Sequence, residues 1–203
     1  MTLSCSFFLC EVMKVVPRAR IIIADSKDGS RRLTRDILQR SAYLVVAETK
    51  NIPETLRKCR TFYPDLLIID GALEGGSVVE LAGIVEGDNL ARVLILTGEK
   101  DGHLRKDYAH VDKPVSEETL LSVVEVCLFY KQQVEKMQKE LEKMREEINT
   151  RKLVEQAKGI LMKTLNIDES DAYRRIQKES MNRGLNKKEV ARAIIIAFEN
   201  ETP

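Results

Sequence analysis

An α/β doubly wound sheet of five parallel strands, followed by a long coiled-coil helix and a small three-helix domain, is the fold class the sequence predicts. Three observations lead there. Five short apolar runs alternate with helix-like stretches over residues 20–130, and no Gly or Pro interrupts residues 116–156. Beyond that, capping residues divide residues 151–203 into three further helical segments.

The strand segments come first. Arg20–Ala24, Tyr43–Ala47, Asp65–Ile69 and Arg92–Thr97 are near-continuous runs of β-branched and aliphatic residues. Strands buried on both faces of a parallel sheet read this way. A weaker segment, Tyr108–Val111, precedes Lys113-Pro114. Between the strands, Ser30 is the expected cap of a helix carrying Leu33, Ile37 and Leu38. A second helix is expected to start near Pro53 and a third to run from about Gly76 to Glu86,. Strands alternating with helices specify a doubly wound sheet.

The long helix is expected from about Ser116, where Glu117 and Glu118 favour its positive end,. Val123, Cys127, Tyr130, Val134, Met137, Leu141, Met144 and Ile148 recur in steps of four and three, a heptad seam of about four repeats,. To about Tyr130 such a helix can pack on its own domain. Beyond it, Lys131–Thr150 carries five basic and five acidic residues. A polar surface with one apolar stripe implies a partner helix, hence a homodimer through a coiled coil.

The last part is more basic, with net charge +3 over residues 151–203 against −2 over residues 1–130. One helix is expected to continue to about Leu165 and another to run from Asp168 to about Arg183, ended by Gly184,. A third runs from about Asn186 to Phe198, with Glu189 completing a capping box,. The expected domains are an N-terminal extension (1–17, disordered, with Met13 the natural start), an α/β domain (18–120), a coiled-coil helix (121–150) and a three-helix domain (151–203).

Composition closes several alternatives. Thirty-three Lys+Arg against 32 Asp+Glu leave +1, so any polyanion-binding surface is a local patch,. Aromatics at 5% without Trp argue against a base-stacking sheet,. No apolar run approaches the ~20 residues of a bilayer span. The first dozen residues lack a basic leader region, and Glu11 follows their apolar stretch, which argues against a signal peptide,. Four cysteines without a CxxC and two histidines speak against zinc, and idle thiols suit a reducing, cytoplasmic location,. There is no Ser-His-Asp set and no Walker loop, and Gly75-Gly76 lacks the spacing of a nucleotide fingerprint,. An enzyme is not indicated.

Parallel α/β sheets place ligands beyond the carboxyl ends of their strands. The residues there are Asp25, Asp70 and Thr97, with Lys113 after the fifth strand. Two carboxylates beside a carbonyl suit Mg²⁺, and a carboxylate beside that metal is a nucleophile towards a phosphoryl group. At these residues, over about Arg18 to Tyr130, the chain resembles the flavodoxin-like receiver domain of two-component response regulators. The resemblance implies Asp70 as phospho-acceptor, Asp25, Asp70 and Ala72 as metal ligands, and Thr97 and Lys113 as phosphosite support. It implies His110 at the switch position, a cis Lys113-Pro114 bond, and a sensor histidine kinase or a ligand-sensing regulatory protein upstream. Three features depart from the family. Ser26 stands where a second acid is usual, which weakens the metal site; His110 replaces the usual aromatic; and the stretch from Thr97 to Lys113 leaves little room for a fourth helix. Two readings stay open: a site still phosphorylated at Asp70, or a degenerate receiver gated by a partner protein.

Val154-Glu-Gln-Ala-Lys-Gly-Ile-Leu-Met162, Ile167–Tyr173 and Glu179-Ser-Met181 form the most specific pattern. Leu153, Ala157, Ile160 and Leu161 share one helical face, and the mid-helix Gly159 costs about 1 kcal/mol against Ala, which suggests tight packing or a nearby ligand. This segment resembles the ANTAR domain of bacterial antitermination regulators, and the order of domains resembles that family too. The resemblance implies binding of tandem hairpins in leader RNA, so that an overlapping terminator does not form. Phosphate contacts and loop-base readout assign Arg151, Gln156, Lys158, Lys163, Tyr173 and Arg174 to the RNA-facing set. The alternative is a DNA-binding transcriptional regulator with a receiver domain. A pure protein-interaction module comes third.

Overall fold

Strands β1 (Arg20–Ala24), β2 (Leu44–Thr49), β3 (Leu66–Asp70), β4 (Arg92–Thr97) and β5 (Ala109–Asp112) form one parallel sheet in the order β2-β1-β3-β4-β5. The computed structural model describes residues 19–98 and 108–199. The expected extension 1–17 and most of the shortened stretch before Lys113 lie outside the described residues. Helices α1 (Asp28–Arg40), α2 (Ile52–Phe62) and α3 (Val78–Gly87) connect the first four strands. The long helix α4 (Glu117–Leu165), α5 (Glu169–Arg183) and α6 (Lys187–Glu199) follow. The chain divides into two units, Met1–Val134 and Glu135–Pro203, with the division inside α4.

Alternation along the strands sends side chains to two cores. Ile21, Ile23, Leu66, Ile68, Leu94 and Leu96 pack with Ile37 and Leu38 of α1 and with Leu120, Val124, Cys127 and Leu128 of α4. Ile22, Leu67, Ile69, Val93 and Ile95 pack with Cys59 of α2 and Leu81 and Val85 of α3. Burial pushes the Cys59 thiol up to about 12, so it stays protonated and inert,. Lys131 reaches back from α4 to Asp65 at 2.7 Å, and Arg40 of α1 meets Glu117 at 2.9 Å.

Several boundaries differ from expectation for local reasons. Helix α1 begins at Asp28 rather than after Ser30, because the Asp25 carboxylate accepts the Lys27 N–H at 2.7 Å and turns the chain early. Strand β2 starts at Leu44 because the Tyr43 N–H is taken by the Leu38 carbonyl closing α1. Strand β3 runs on to Asp70, paired with Leu96 of β4. In the heptad seam, Cys127 is buried and Val123 half-buried against the sheet, so the first two seam positions belong to the α/β core. The exposed apolar stripe begins later, at Met137, Leu141, Met144 and Ile148.

The second unit has its own small core. Val154, Ala157 and Leu161 of α4 meet Ala172 and Ile176 of α5 and Val190 and Ala191 of α6. Asp168 caps α5 by accepting the Asp171 N–H, and Gly184 ends it with left-handed φ. Asn186 and Glu189 exchange side-chain to backbone hydrogen bonds of 2.8 and 3.0 Å, the capping box that starts α6,. With so few core residues, each one matters. Ile176→Ala, at a fully buried position, is expected to cost about 3 kcal/mol. Hydrogen exchange should then show lost protection in α5 and α6 with β1, β3 and β4 unchanged.

Among the described residues no helix is long and apolar enough to cross a membrane.

Candidate phosphoryl-acceptor pocket and nucleic-acid interface

Strand order places the acidic residues. β1 is paired with β2 on one side and β3 on the other, and Ala24 lies opposite Ile69. The next residues outward, Asp25 and Asp70, therefore neighbour each other where strand order reverses. Asp70 is buried; its Oδ2 lies 2.6 Å from Lys113 Nζ and its Oδ1 accepts the Ala72 N–H at 3.0 Å. Burial pushes the Asp70 carboxyl up, but the Lys113 ammonium and the Ala72 N–H outweigh it and hold the group below the ordinary carboxylate range. The peptide bond after Lys113 is cis, as the resemblance implied.

Asp25 is also buried. Its Oδ1 accepts from Lys27, while Oδ2 receives no hydrogen bond. The Lys113 ammonium pairs with Asp70, while Asp25 keeps an unsatisfied buried oxygen. That deficit of positive charge fits a hard divalent cation. Among the described residues no group of three or more His, Cys, Asp or Glu converges, so two carboxylates are what the pocket offers. Ser26 does not replace the missing acid as a ligand; its hydroxyl donates to the Lys50 carbonyl at 3.2 Å and accepts the Glu74 N–H at 3.3 Å, tying three loops together.

The Thr97 hydroxyl and the His110 ring have hydrogen-bond partners other than Asp70. Thr97 is fully buried, and its hydroxyl lies 2.7 Å from Asp112 Oδ1 and 3.3 Å from the Val111 carbonyl. While it donates there it does not donate towards Asp70. His110 is exposed, with Nδ1 3.2 Å from the Tyr108 carbonyl. Sequence reasoning missed Arg31, which is buried beside the pocket. Its guanidinium donates to the Asp25 carbonyl at 2.7 Å, to Glu48 at 3.1 Å and to Asp28. The Asp28 contact is legible as an i,i+3 pair; Glu48 is not, because it comes from β2.

In the second unit, Arg151, Gln156, Lys163, Tyr173 and Arg174 are exposed. Arg174 lies 3.6 Å from Asp171, and the Tyr173 hydroxyl accepts from Lys187 Nζ at 2.7 Å. Lys158 is different and corrects the open-surface expectation. It is covered, and its Nζ sits 2.8 Å from Glu155 and 2.6 Å from Glu169, linking α4 to the first turn of α5. These two exposed carboxylates hold its ammonium above the ordinary lysine range. Lys188, similarly, is 2.5 Å from Glu146. Two features went unmarked. Lys187 joins Tyr173, and Lys152, exposed four residues before Gln156, was legible from helical spacing alone.

Residues 21–125 match the family model of the response regulator receiver domain, and residues 142–195 match that of the ANTAR domain. The transcriptional regulatory protein PdtaR of Mycobacterium tuberculosis is 27% identical over 186 residues, covering 89% of this chain and 90% of that protein. Among solved structures, the receiver domain of a modulated diguanylate cyclase from Desulfovibrio desulfuricans aligns at TM-score 0.52 and 23% identity, over 57% of this chain and 97% of its own. The receiver domain of NarL from Mycobacterium tuberculosis aligns at 0.51 and 17%, over 56% and 98%. At these identities the structural likeness speaks for the fold alone. A receiver match over more than half of the chain, joined to an ANTAR match in the second unit, places the chain among the response regulators of the ANTAR type, a family of regulators rather than enzymes.

Proposed function

We propose that this response regulator binds tandem hairpins in nascent leader RNA as a coiled-coil dimer and thereby causes antitermination in the cytoplasm. The observation that carries this reading is the bare apolar stripe of Met137, Leu141, Met144 and Ile148, on a helix that leads directly into the ANTAR core. Pairing two copies along that stripe presents two RNA-binding units at fixed separation. The second hairpin contact then becomes intramolecular and adds avidity without new contacts. The proposed functional divisions remain 1–17, 18–120, 121–150 and 151–203.

The gate is Asp70. An oxygen of its carboxylate attacks phosphorus as the bond to the donor, a histidine kinase phosphohistidine, breaks; Lys113 offsets charge on the phosphoryl oxygens. Mg²⁺ is the proposed cofactor, held by Asp25, Asp70 and the Ala72 carbonyl, and when bound it neutralises charge on the transferred group. A phosphoryl oxygen at Asp70 gives the Thr97 hydroxyl an acceptor that competes with Asp112. His110 has no aromatic face of the usual kind to bury, so a protein partner in place of the kinase is the second route to the same gate.

The DNA-binding alternative is disfavoured by α6. Ile194 and Ile195 pack towards the small core, and the ammonium groups of Lys187 and Lys188 are occupied by Tyr173 and Glu146. A groove-reading helix needs an open basic face. A gel shift of the full chain against tandem-hairpin RNA and duplex DNA of the same sequence tests this. RNA selectivity, strengthened by beryllofluoride with Mg²⁺, is expected; equal or tighter duplex-DNA binding overturns it.

A further inference from the structure

Gly159 stands in the interior of α4, where glycine is the poorest helix former after proline,. A Cβ built there meets no heavy atom within 4 Å, and its φ is not left-handed. Nothing inside the unit requires it to lack a side chain. Ala157, two residues earlier, is the small residue that the core uses.

Gly159 belongs to an outward row. Lys152, Gln156, Gly159 and Lys163 recur in steps of four, three and four, and at 3.6 residues per turn they span about 60° of the helix surface. Val154, Ala157 and Leu161, on the other side, are buried. Lys152, Gln156 and Lys163 are exposed, and among the described residues no ion pair engages Lys152 or Lys163. The charged ends of Lys158 and Lys188, by contrast, are held by carboxylates.

We propose that this face of α4 receives the phosphate–ribose backbone of the hairpin RNA, with Gly159 as the point of closest approach. The inference rests on the RNA-binding reading above and names its contact surface. Lys152 and Lys163 supply phosphate contacts on either side of the glycine, about 16 Å apart along the axis. Gln156 carries both donor and acceptor for a base edge or a 2′-hydroxyl. A second copy of the chain fits this face poorly. The four-three seam continued past Ile148 falls on Arg151, Glu155, Lys158 and Met162, off this row. Packing row against row would also set lysines against lysines.

Gly159→Ala in the full-length chain separates the roles. The methyl meets open space and alanine favours the helix, so the variant is expected to melt at or above the wild-type temperature and to keep its oligomeric state. Its affinity for hairpin RNA is expected to fall about tenfold or more, the equivalent of one lost close contact. Lys152→Gln and Lys163→Gln should each reduce the slope of log K against log salt by about one. If wild type binds RNA and Gly159→Ala binds equally well, the contact surface is wrong while the RNA reading stands. A lowered melting temperature would make Gly159 a structural residue and overturn the proposal. Loss of the dimer with unchanged affinity for a single hairpin would assign the face to a second copy. A wild-type chain that binds no hairpin RNA removes both readings together.

Discussion

Leu141→Glu combined with Ile148→Glu is expected to make the chain monomeric and to lower its affinity for tandem-hairpin RNA by about 10²–10⁴-fold. Both side chains are exposed along α4, so neither contributes to a core within one copy. Glutamate is also a good helix former, and α4 is expected to persist. What is lost is the apolar seam, replaced by like charges facing each other across the pair. Binding to a single hairpin, by contrast, is expected to change little. Sedimentation and titration with one- and two-hairpin RNAs check both halves. A variant that remains dimeric, or that loses single-hairpin binding equally, contradicts the role given to the seam.

Lys113→Met is expected to destabilise the receiver by about 3 kcal/mol at pH 7, because it leaves the buried Asp70 carboxylate without its cation,. Its pH dependence carries more information than its size. In the wild type Asp70 is held below its ordinary range, so its contribution to stability is present above the unfolded-chain value and lost as pH falls through the lower folded one,. Without Lys113, burial, the largest single influence on the Asp70 carboxyl, is opposed by less and pushes the group up instead,. The sign then reverses, and the variant should regain stability between pH 7 and 5, where the wild type changes little. Hydrogen-exchange protection of β1 and β3 reads this directly. Parallel pH profiles for the two proteins would show that the Lys113–Asp70 pair does not govern the pocket.

Much of the fold was legible because its parts are local. Continuous apolar runs such as Ile21–Ile23 and Leu66–Ile69 can satisfy only a sheet covered on both faces, and they are fully buried. Asn186 and Glu189 announce their capping box by spacing alone, and the hydrogen bonds are there. What failed needed the third dimension. Ser30 looked like a helix cap by residue type, yet an Asp25 turn two residues into the loop started α1 first. Cys127 fits the heptad pattern but faces the sheet, since a seam and a core face share the same period. Lys158 sits at the edge of the buried stripe of α4, where spacing leaves it undecided. Glu169, eleven residues on and in the next helix, decides it. Thr97 ends its strand as expected, but the direction of its hydroxyl depends on Asp112 of β5. The pocket residues themselves were legible because strand ends are ordered by topology, and the unpaired Asp25 oxygen was not.

The most direct measurement compares the affinity of the full-length, beryllofluoride-treated chain for one hairpin with that for two, while the spacer between the two is varied. A gain of about 10²–10⁴ for the pair, with a sharp optimum in spacer length, is expected of two units held at fixed separation. Equal affinity for one hairpin and for two, at every spacing, would contradict it.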